Sequence, residues 1–329
     1  MLKEDILTCL RQGGYVSGEQ LARRFAVSRN AVWKAVMHLR KEGYAIDSVT
    51  NRGYCLTAAP DILQIAELQS CLGAQAGLYE IFVYDRIDST NREAMERAAA
   101  GAAAGTVILA DTQTAGRGRL GRSFYSPPGT GIYMSVILRP DLPLSQLPLI
   151  TACAGTAVAA AVDRLYGTDT GIKWVNDLYL GGKKFCGILS QASIDMERGT
   201  PEAVIIGIGI NAAKGAFPDE IAEIAVSLEE AAGKRVRRAQ LIGEILKNCA
   251  DMEAQIRSRS FLAAYKRRSV LLGKEITVHA PDGIYTAVAT DIDENAALLV
   301  TTADGSVKRV DSGEVSVRIF KGVEQNGEK

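Results

Sequence analysis

Histidine is nearly missing from this chain: its 329 residues contain two, His38 and His279. That scarcity leaves little from which to build a His-based metal site or a Ser-His-Asp triad. The six cysteines (Cys9, Cys55, Cys71, Cys153, Cys186 and Cys249) are scattered without any CxxC pair. Buried free thiols are therefore expected, rather than a disulfide framework or a zinc site. Net charge is missing too, since 38 basic residues balance 38 acidic ones. No global field draws the chain to nucleic acid or membrane, and any such affinity has to be local. No apolar run reaches the ~18 residues of a membrane span, and the opening MLKEDILTCL lacks the signal-peptide pattern. These absences read as a cytoplasmic chain without a membrane partner, long enough for two or three domains.

What is present begins with a helix, a turn and a helix. Asp5 to Gln12 carries Ile6, Leu7 and Leu10 at helical spacing and stops at Gly13-Gly14. Ser17 with Gln20 three places later forms a capping-box pattern, and Ser28 caps a second run, RNAVWKAVMHLRKEG, with Val32, Ala35, Val36 and Leu39 on one face. Tyr44 to Asp47 and Arg52 to Leu56 bracket a turn and read as a hairpin wing with Arg52 near its tip. Between Arg23 and Lys41 stand six basic residues and no acid, the local footprint of phosphate contact. A helix-turn-helix also serves protein contacts, but cap, turn, charge and wing together favour DNA, with Ser28, Arg29, Asn30, Lys34 and Arg52 as the DNA-facing residues.

The central region alternates strands and helices with many glycines, an α+β texture. Its stretch TAGRGRLGRSFYSPPGTG contains Gly116-x-Gly118-x-x-Gly121, a pattern that elsewhere holds a dinucleotide. A strand precedes it, Thr106 to Ala110, but Pro127-Pro128, Gly129 and Gly131 forbid the helix that pattern needs. Arg117, Arg119 and Arg122 instead make it a mobile cationic flap suited to phosphate. Further strands are expected at Tyr79–Tyr84, Ile132–Leu138, Gly171–Leu180, Lys183–Ser190 and Val204–Asn211, with a buried helix at Leu149–Leu165.

Five stretches then stand in a telling order: Asp88-Ser-Thr-Asn91, Gln113-Thr-Ala-Gly-Arg-Gly-Arg119 with Gly121-Arg122, Lys173-Trp-Val-Asn-Asp177, Lys184-Phe-Cys-Gly-Ile-Leu189 and Gly207-Ile-Gly-Ile-Asn211. In that order they resemble the biotin–protein ligases, and with the N-terminal helix-turn-helix the chain looks like the bifunctional kind that also represses the biotin operon. Val175 and Phe124 depart from the family, where proline and tryptophan are common. The resemblance implies ATP, biotin and Mg2+ as ligands, and biotinyl-AMP as the product of the first step. It puts Lys184 between the biotin carboxylate and the α-phosphate, with Arg117 and Arg119 over the adenylate. Ser89, Thr90, Asn91, Gln113, Gly116 and Gly118 belong to the biotin side. Arg122, Asn176, Asp177, Asn211 and Phe217 belong to the ATP side. There Asp177 is an oxygen ligand of Mg2+ or an orienting partner, and Phe217 stacks on adenine or sits in the core. In the transfer step Asp177 takes the proton of the acceptor lysine. The implied partners are a biotin carboxyl carrier protein, operator DNA and a second copy of the chain, joined through the central sheet when biotinyl-AMP is bound.

The chemistry asked of these residues stands apart from the resemblance. Bringing a carboxylate against the α-phosphate of ATP opposes two anions, so the site must supply fixed cations. Beyond helices at Arg238–Ser258 and Phe261–Arg267, residues 274–317 read as short strands broken at Asp282-Gly283, Asp293-Glu-Asn295 and Asp304-Gly305. They resemble the SH3-like β-barrel that ends these ligases and that braces the active site or the carrier protein. The expected division is residues 1–62, a winged helix-turn-helix; 66–270, a catalytic domain on a mixed sheet; and 271–322, the small β domain. The rivals are a lipoate or octanoate ligase of related fold and a repressor that only senses a ligand. A nicotinamide-dependent enzyme is weakest, since the glycine pattern lacks its helix.

Overall fold

The computed structural model describes residues 2–41, 44–58, 61–195, 200–215, 217–280, 283–311 and 314–317. Asp282, the end of the expected third domain and the polar tail from Glu324 lie outside the described residues. The chain divides into two compact units, Met1–Ile62 and Leu63–Lys329.

The first unit packs α1 (Leu2–Arg11), α2 (Gly18–Arg24) and α3 (Arg29–Lys41) beside a hairpin of β1 (Ala45–Val49) and β2 (Gly53–Ala58). Both expected caps form. Ser17 Oγ accepts from the Gln20 amide at 3.1 Å while Gln20 Oε1 accepts from the Ser17 amide at 3.0 Å, and Ser28 Oγ accepts from the Ala31 amide at 3.1 Å. The apolar stripes meet at Ile6, Leu10, Leu21, Val32, Val36 and Leu39, all fully buried. Gly53 is needed where it stands: its φ is +101°, and the Val16 and Ser17 backbone occupies the space a side chain would take. Replacing Ser17 with Ala removes one half of the capping box and is expected to cost about 1 kcal/mol of helix stability. Faster hydrogen exchange of the α2 amides in Ser17→Ala is the readout.

The second unit contains α4 (Ile65–Leu72), β3 (Glu80–Ile87), α5 (Thr90–Ala99), β4 (Thr106–Gln113), β5 (Gly131–Leu138), α6 (Leu147–Tyr166), β6 (Gly171–Lys173), β7 (Asp177–Leu180), β8 (Lys183–Asp195) and β9 (Thr200–Asn211). It continues with α7 (Asp219–Ala222), α8 (Leu228–Ala232), α9 (Arg238–Cys249), α10 (Met252–Ser258), α11 (Leu262–Arg267), β10 (Glu275–Ala280), β11 (Gly283–Ile292), β12 (Leu298–Thr302), β13 (Val307–Val310) and β14 (Glu314–Val317). Seven strands form one mixed sheet in the order β3-β4-β5-β9-β8-β7-β6, parallel only between β3 and β4. β10 to β14 form a five-stranded antiparallel sheet in the order β13-β12-β11-β10-β14.

Strand periodicity decides which side of the large sheet does what. On β9, the even positions Val204, Ile206, Ile208 and Ile210 enter the main core with α6, and Ala203 and Ile205 pack with Ala94 and Ala98 of α5 on the other side. Continuing along that second side come Gly207 and Gly209, so the sheet loses its side chains beyond the start of α5. A recess opens there. The same main core runs on into Ile276, Val278 and Ala289 of the small sheet, so the segments expected as a second and third domain share one core. Helix α6 is 20 residues long and apolar enough to cross a membrane by length and composition, yet 72% of its most apolar window is buried within the protein, as the sequence reading of a core helix expects.

Candidate active site and nucleic-acid interface

The recess is a cavity of about 150 Å³. Ser89, Thr90 and Asn91 enter it from the start of α5, Gln113 from the end of β4, and Lys173, Asn176, Asp177 and Lys184 from the β6–β7–β8 meander. Arg117, Gly118, Arg119 and Arg122 complete its mouth. Gly116 stands just behind: a side chain there would lie 2.6 Å from the Phe124 carbonyl oxygen and 2.7 Å from Ser126 Oγ. Asn211 and Phe217 line a separate cavity of about 230 Å³ that shares Tyr133 with the first.

Ser89 is the N-cap of α5 by position, yet its side chain makes no capping hydrogen bond. Its hydroxyl is left to the cavity. Behind it runs a buried chain of polar groups. Thr90 donates through its amide and hydroxyl to Gln113 Oε1 at 2.8 and 3.1 Å, and Gln113 Nε2 donates to Ser126 Oγ at 3.0 Å. Ser135 Oγ lies 2.8 Å from Thr90 Oγ1 and 2.6 Å from Asn91 Oδ1, and Asn91 Nδ2 donates to Gln191 Oε1 at 2.8 Å. Satisfied networks of this kind fix donor and acceptor directions in a low-dielectric site. Sequence reasoning passed over Ser126, Ser135 and Gln191, because nothing local marks a strand serine as a network member. The β9 glycines had a visible signal: the side chain of Asn91 fills the place of a Cβ at Gly207, and the Phe124 ring would lie 2.8 Å from one at Gly209.

The expected strand Gly171–Leu180 is broken at Trp174–Asn176, and that turn is pinned from three sides. Trp174 Nε1 donates to the Ala296 carbonyl at 2.8 Å, the Tyr265 hydroxyl donates to the Val175 carbonyl at 3.0 Å, and Asn176 Nδ2 donates to the Ile188 carbonyl at 3.0 Å. The Trp174–Val175 peptide bond is cis. Through Trp174 the small sheet braces the site, and its Val315 lines the cavity directly, a contribution its own sequence did not reveal.

The arginine stretch opens into no α-helix. It closes on itself through Gly118 N to the Arg122 carbonyl at 2.7 Å and Phe124 N to the Gly116 carbonyl at 2.9 Å, turning at Leu120 and Gly121, both with positive φ. Arg119 reaches inward, Nη1 donating to Asn176 Oδ1 at 3.0 Å, while Arg117 and Arg122 stay exposed. Across the cavity Lys184 Nζ sits 2.7 Å from Asp177 Oδ1. Gly187 gives that pair room: a Cβ there would be 3.3 Å from Lys184 Nζ. Tyr133, between the two cavities, donates to the Pro127 carbonyl at 2.9 Å, and burial pushes its phenol up to about 12.

In the N-terminal unit, Ser28, Arg29, Asn30, Lys34 and Arg52 are all exposed. Ser28 spends its hydroxyl on the cap, and the Arg52 guanidinium lies 4.5 Å over the Tyr15 ring. The basic run is less uniform than its sequence: Arg23 pairs with Glu19 at 2.7 Å, and Arg40 donates twice to the Ile46 carbonyl, at 2.9 and 2.6 Å.

Three stretches of the chain match known families. The profile of an HTH domain matches residues 3–55, that of the Biotin/lipoate A/B protein ligase family residues 83–211, and that of the Biotin protein ligase C terminal domain residues 271–318. The Bifunctional ligase/repressor BirA of Bacillus subtilis is 35% identical over 323 residues, 96% of this chain and 98% of that one. Its namesake in Escherichia coli is 28% identical over 317 residues, 95% of this chain and 96% of that one. Among solved structures, a biotin protein ligase from Aquifex aeolicus in complex with biotin and ATP has 30% identity and a TM-score of 0.63, over 73% of this chain and 98% of that chain. Cavity, helix-turn-helix and near full-length likeness converge: the chain belongs to the biotin protein ligases, in their bifunctional ligase and repressor form.

Proposed function

We propose that this chain adenylates biotin with ATP, transfers the biotinyl group to a lysine of the biotin carboxyl carrier protein of acetyl-CoA carboxylase, and represses biotin synthesis genes with biotinyl-AMP as corepressor. One observation carries the reading: two lysines, three arginines and a carboxylate ring one cavity whose inner end is a buried, neutral hydrogen-bonding network. Ser89, Thr90, Asn91, Gln113 and the glycines at Gly116 and Gly118 serve the neutral ureido end of biotin, for which placed hydrogen-bond groups in a dry pocket are the requirement. Lys184 meets the biotin carboxylate and the α-phosphate. In the free chain its partner is Asp177, so the incoming carboxylate takes over a counter-ion position that already exists. Arg117, Arg119 and Arg122 clamp the phosphates, where the planar guanidinium suits paired oxygens. The biotin carboxylate oxygen attacks the α-phosphorus, pyrophosphate leaves, and the arginine loop shields the mixed anhydride from water. Asn176, Asn211 and Phe217 take the nucleoside, the last two from the adjoining cavity.

Among the described residues no three His, Cys, Asp or Glu side chains gather as a metal cage. Asp177 is the carboxylate that would meet a Mg2+ ion brought in with ATP. The ion would supply charge neutralisation at the leaving pyrophosphate. In the second step Asp177 accepts the proton of the acceptor lysine, whose amine attacks the anhydride carbonyl and releases AMP.

The remaining assignments follow from the same reading. Residues 1–62 are a winged helix-turn-helix that takes operator DNA through Ser28, Arg29, Asn30, Lys34 and Arg52; residues 66–270 are catalytic; residues 271–322 are an SH3-like barrel. Biotinyl-AMP promotes a homodimer through the central sheet, whose edge strand β3 is available for continuation, whereas β6 is already bonded along its outer side at Ile172 by the Arg268 carbonyl and the Val270 amide. The protein works in the cytoplasm, where its six free cysteines stay reduced. Burial raises the Cys249 thiol to about 12 and the Cys153 and Cys186 thiols further, which keeps them inert. The test is incubation with biotin, ATP, Mg2+ and apo carrier protein. A mass gain of one biotinyl group at a single carrier lysine is expected, and an unmodified carrier refutes the transfer step.

A further inference from the structure

The exposed face of α3 holds more than the polar groups already assigned. Asn30, Trp33, Lys34, Met37 and Lys41 follow the helical period opposite the buried Val32, Ala35, Val36 and Leu39. Trp33 is 50% exposed and Met37 41%, whereas Val32, Val36 and Leu39 of the same helix are fully buried. Met37 is held in place from the side, because Arg40, anchored on the Ile46 carbonyl, also sets its Nη1 3.9 Å from Met37 Sδ. The result is a shallow apolar groove between Trp33 and Met37, flanked by Lys34 and Lys41.

Charge selects the occupant. Helix α3 carries no carboxylate, and Arg29, Lys34 and Lys41 are exposed along it. An apolar stripe set in unrelieved positive charge is complementary to a polyanion that offers apolar groups of its own. In the major groove of duplex DNA one such group stands on the base edges, the 5-methyl of thymine. We propose that Trp33 and Met37 form an apolar reading edge that receives thymine methyl groups in the major groove, which makes α3 selective for A·T pairs. Asn30, one turn earlier on the same face, matches adenine N6 and N7 and strengthens that selectivity. Lys34 and Lys41 go to phosphate and carry no base preference. The inference rests on the DNA-binding reading and deepens it.

The experiment uses the full chain with biotin and ATP. Duplexes are selected from a random-sequence pool, and the tightest binder is resynthesised with deoxyuridine for thymidine, which removes the methyl groups and leaves the hydrogen-bonding edges alone. The wild type is expected to bind the uridine duplex about fourfold more weakly for each thymine methyl that Trp33 or Met37 would otherwise cover. Trp33→Ala lowers the ratio between the two duplexes to the share that Met37 alone provides, and Trp33→Phe keeps more of the preference. Lys34→Ala weakens both duplexes alike and leaves their ratio unchanged. Trp33 also reports directly: the other tryptophan, Trp174, is 4% exposed in the catalytic unit, so duplex binding should change the exposed fluorophore. Equal binding of the two duplexes by the wild type overturns the proposal, as does a preference that is undiminished in Trp33→Ala. If Trp33→Ala loses its fold, Met37→Ala provides the same comparison with a partial loss expected and an unchanged ratio contradictory. Selection of no duplex, with carrier biotinylation intact, removes the DNA-binding reading itself and this proposal with it. Fluorescence that changes with protein concentration but not with duplex assigns the groove to a second copy and also overturns it.

Discussion

Replacing Lys184 with Ala is expected to lower biotin-dependent pyrophosphate exchange by about 10³-fold, the scale of removing one preorganised charged donor from a water-poor site. The physical reason lies in what is left behind. Without the ammonium, Asp177 remains as a carboxylate in the cavity, 2.7 Å from where its partner stood. A second carboxylate, that of the substrate, then has to approach it and the α-phosphate together. Repulsion replaces attraction at the reacting atoms, so the loss falls mainly on kcat. Lys184→Arg is expected to recover little, because a broad planar fork does not replace a compact point charge beside Gly187. An exchange rate within tenfold of the wild type for Lys184→Ala contradicts this assignment.

The largest stability effect is expected at a site the sequence reading did not single out. Arg238, at the start of α9, is 1% exposed, and its Nη1 lies 2.7 Å from Asp111 Oδ1 and 3.0 Å from the Gly131 carbonyl oxygen. Asp111 in turn accepts from the Gly129 amide, through Oδ1 at 3.2 Å and Oδ2 at 3.1 Å. A buried guanidinium thus ties the end of the loop to the start of β5. Asp111→Ala removes an ionic partner, 2.7 Å away, of a charge that stays buried, and the expected cost is about 3 kcal/mol. That is the low end for such a change, since the Gly131 carbonyl is among the groups that go on accepting from Arg238. Urea unfolding of the catalytic unit measures it. The double variant Asp111→Leu with Arg238→Met is expected to recover most of the loss, because it leaves no charge to strand; a double variant worse than Asp111→Ala argues against the ion pair as the cause.

Much of the N-terminal unit was legible because its signals are local. Caps at Ser17 and Ser28, a stop at Gly13-Gly14 and stripes of period 3.6 specify three helices without reference to the rest of the chain. The expected first helix, Asp5 to Gln12, nevertheless began late: the observed one spans Leu2–Arg11, with Glu4 and Asp5 in its first turn. In the catalytic unit the strands were found with some of their ends, Thr106, Leu138, Lys183 and Asn211, while other ends were set short. Gly171–Leu180 reads as one β-rich run, and only the tertiary hydrogen bonds to Trp174, Val175 and Asn176 show why it turns in the middle. Arg238–Ser258 reads as one helix, yet it divides into α9 and α10 around Ala250 and Asp251. The short helices α4, α7 and α8 were missed, being too brief for periodicity to stand out. The self-bonding of the arginine loop was not legible, because close backbone pairing at Gly116 and Gly118 cannot be seen in composition. Val315 and the Ser135 network belong to the same class, contacts made by residues far apart in the chain.

Biotin-dependent exchange of labelled pyrophosphate into ATP tests the central claim most directly, since it isolates the adenylation step from both carrier protein and DNA. The wild-type chain is expected to exchange with biotin and to give none with lipoate or octanoate, whose flexible tails cannot use the donors fixed around Thr90, Gln113 and Asn91. Exchange driven by lipoate or octanoate instead would reassign the cavity to the related fatty-acid ligases. No exchange with any of the three acids would contradict the account and leave a repressor that senses its ligand without activating it.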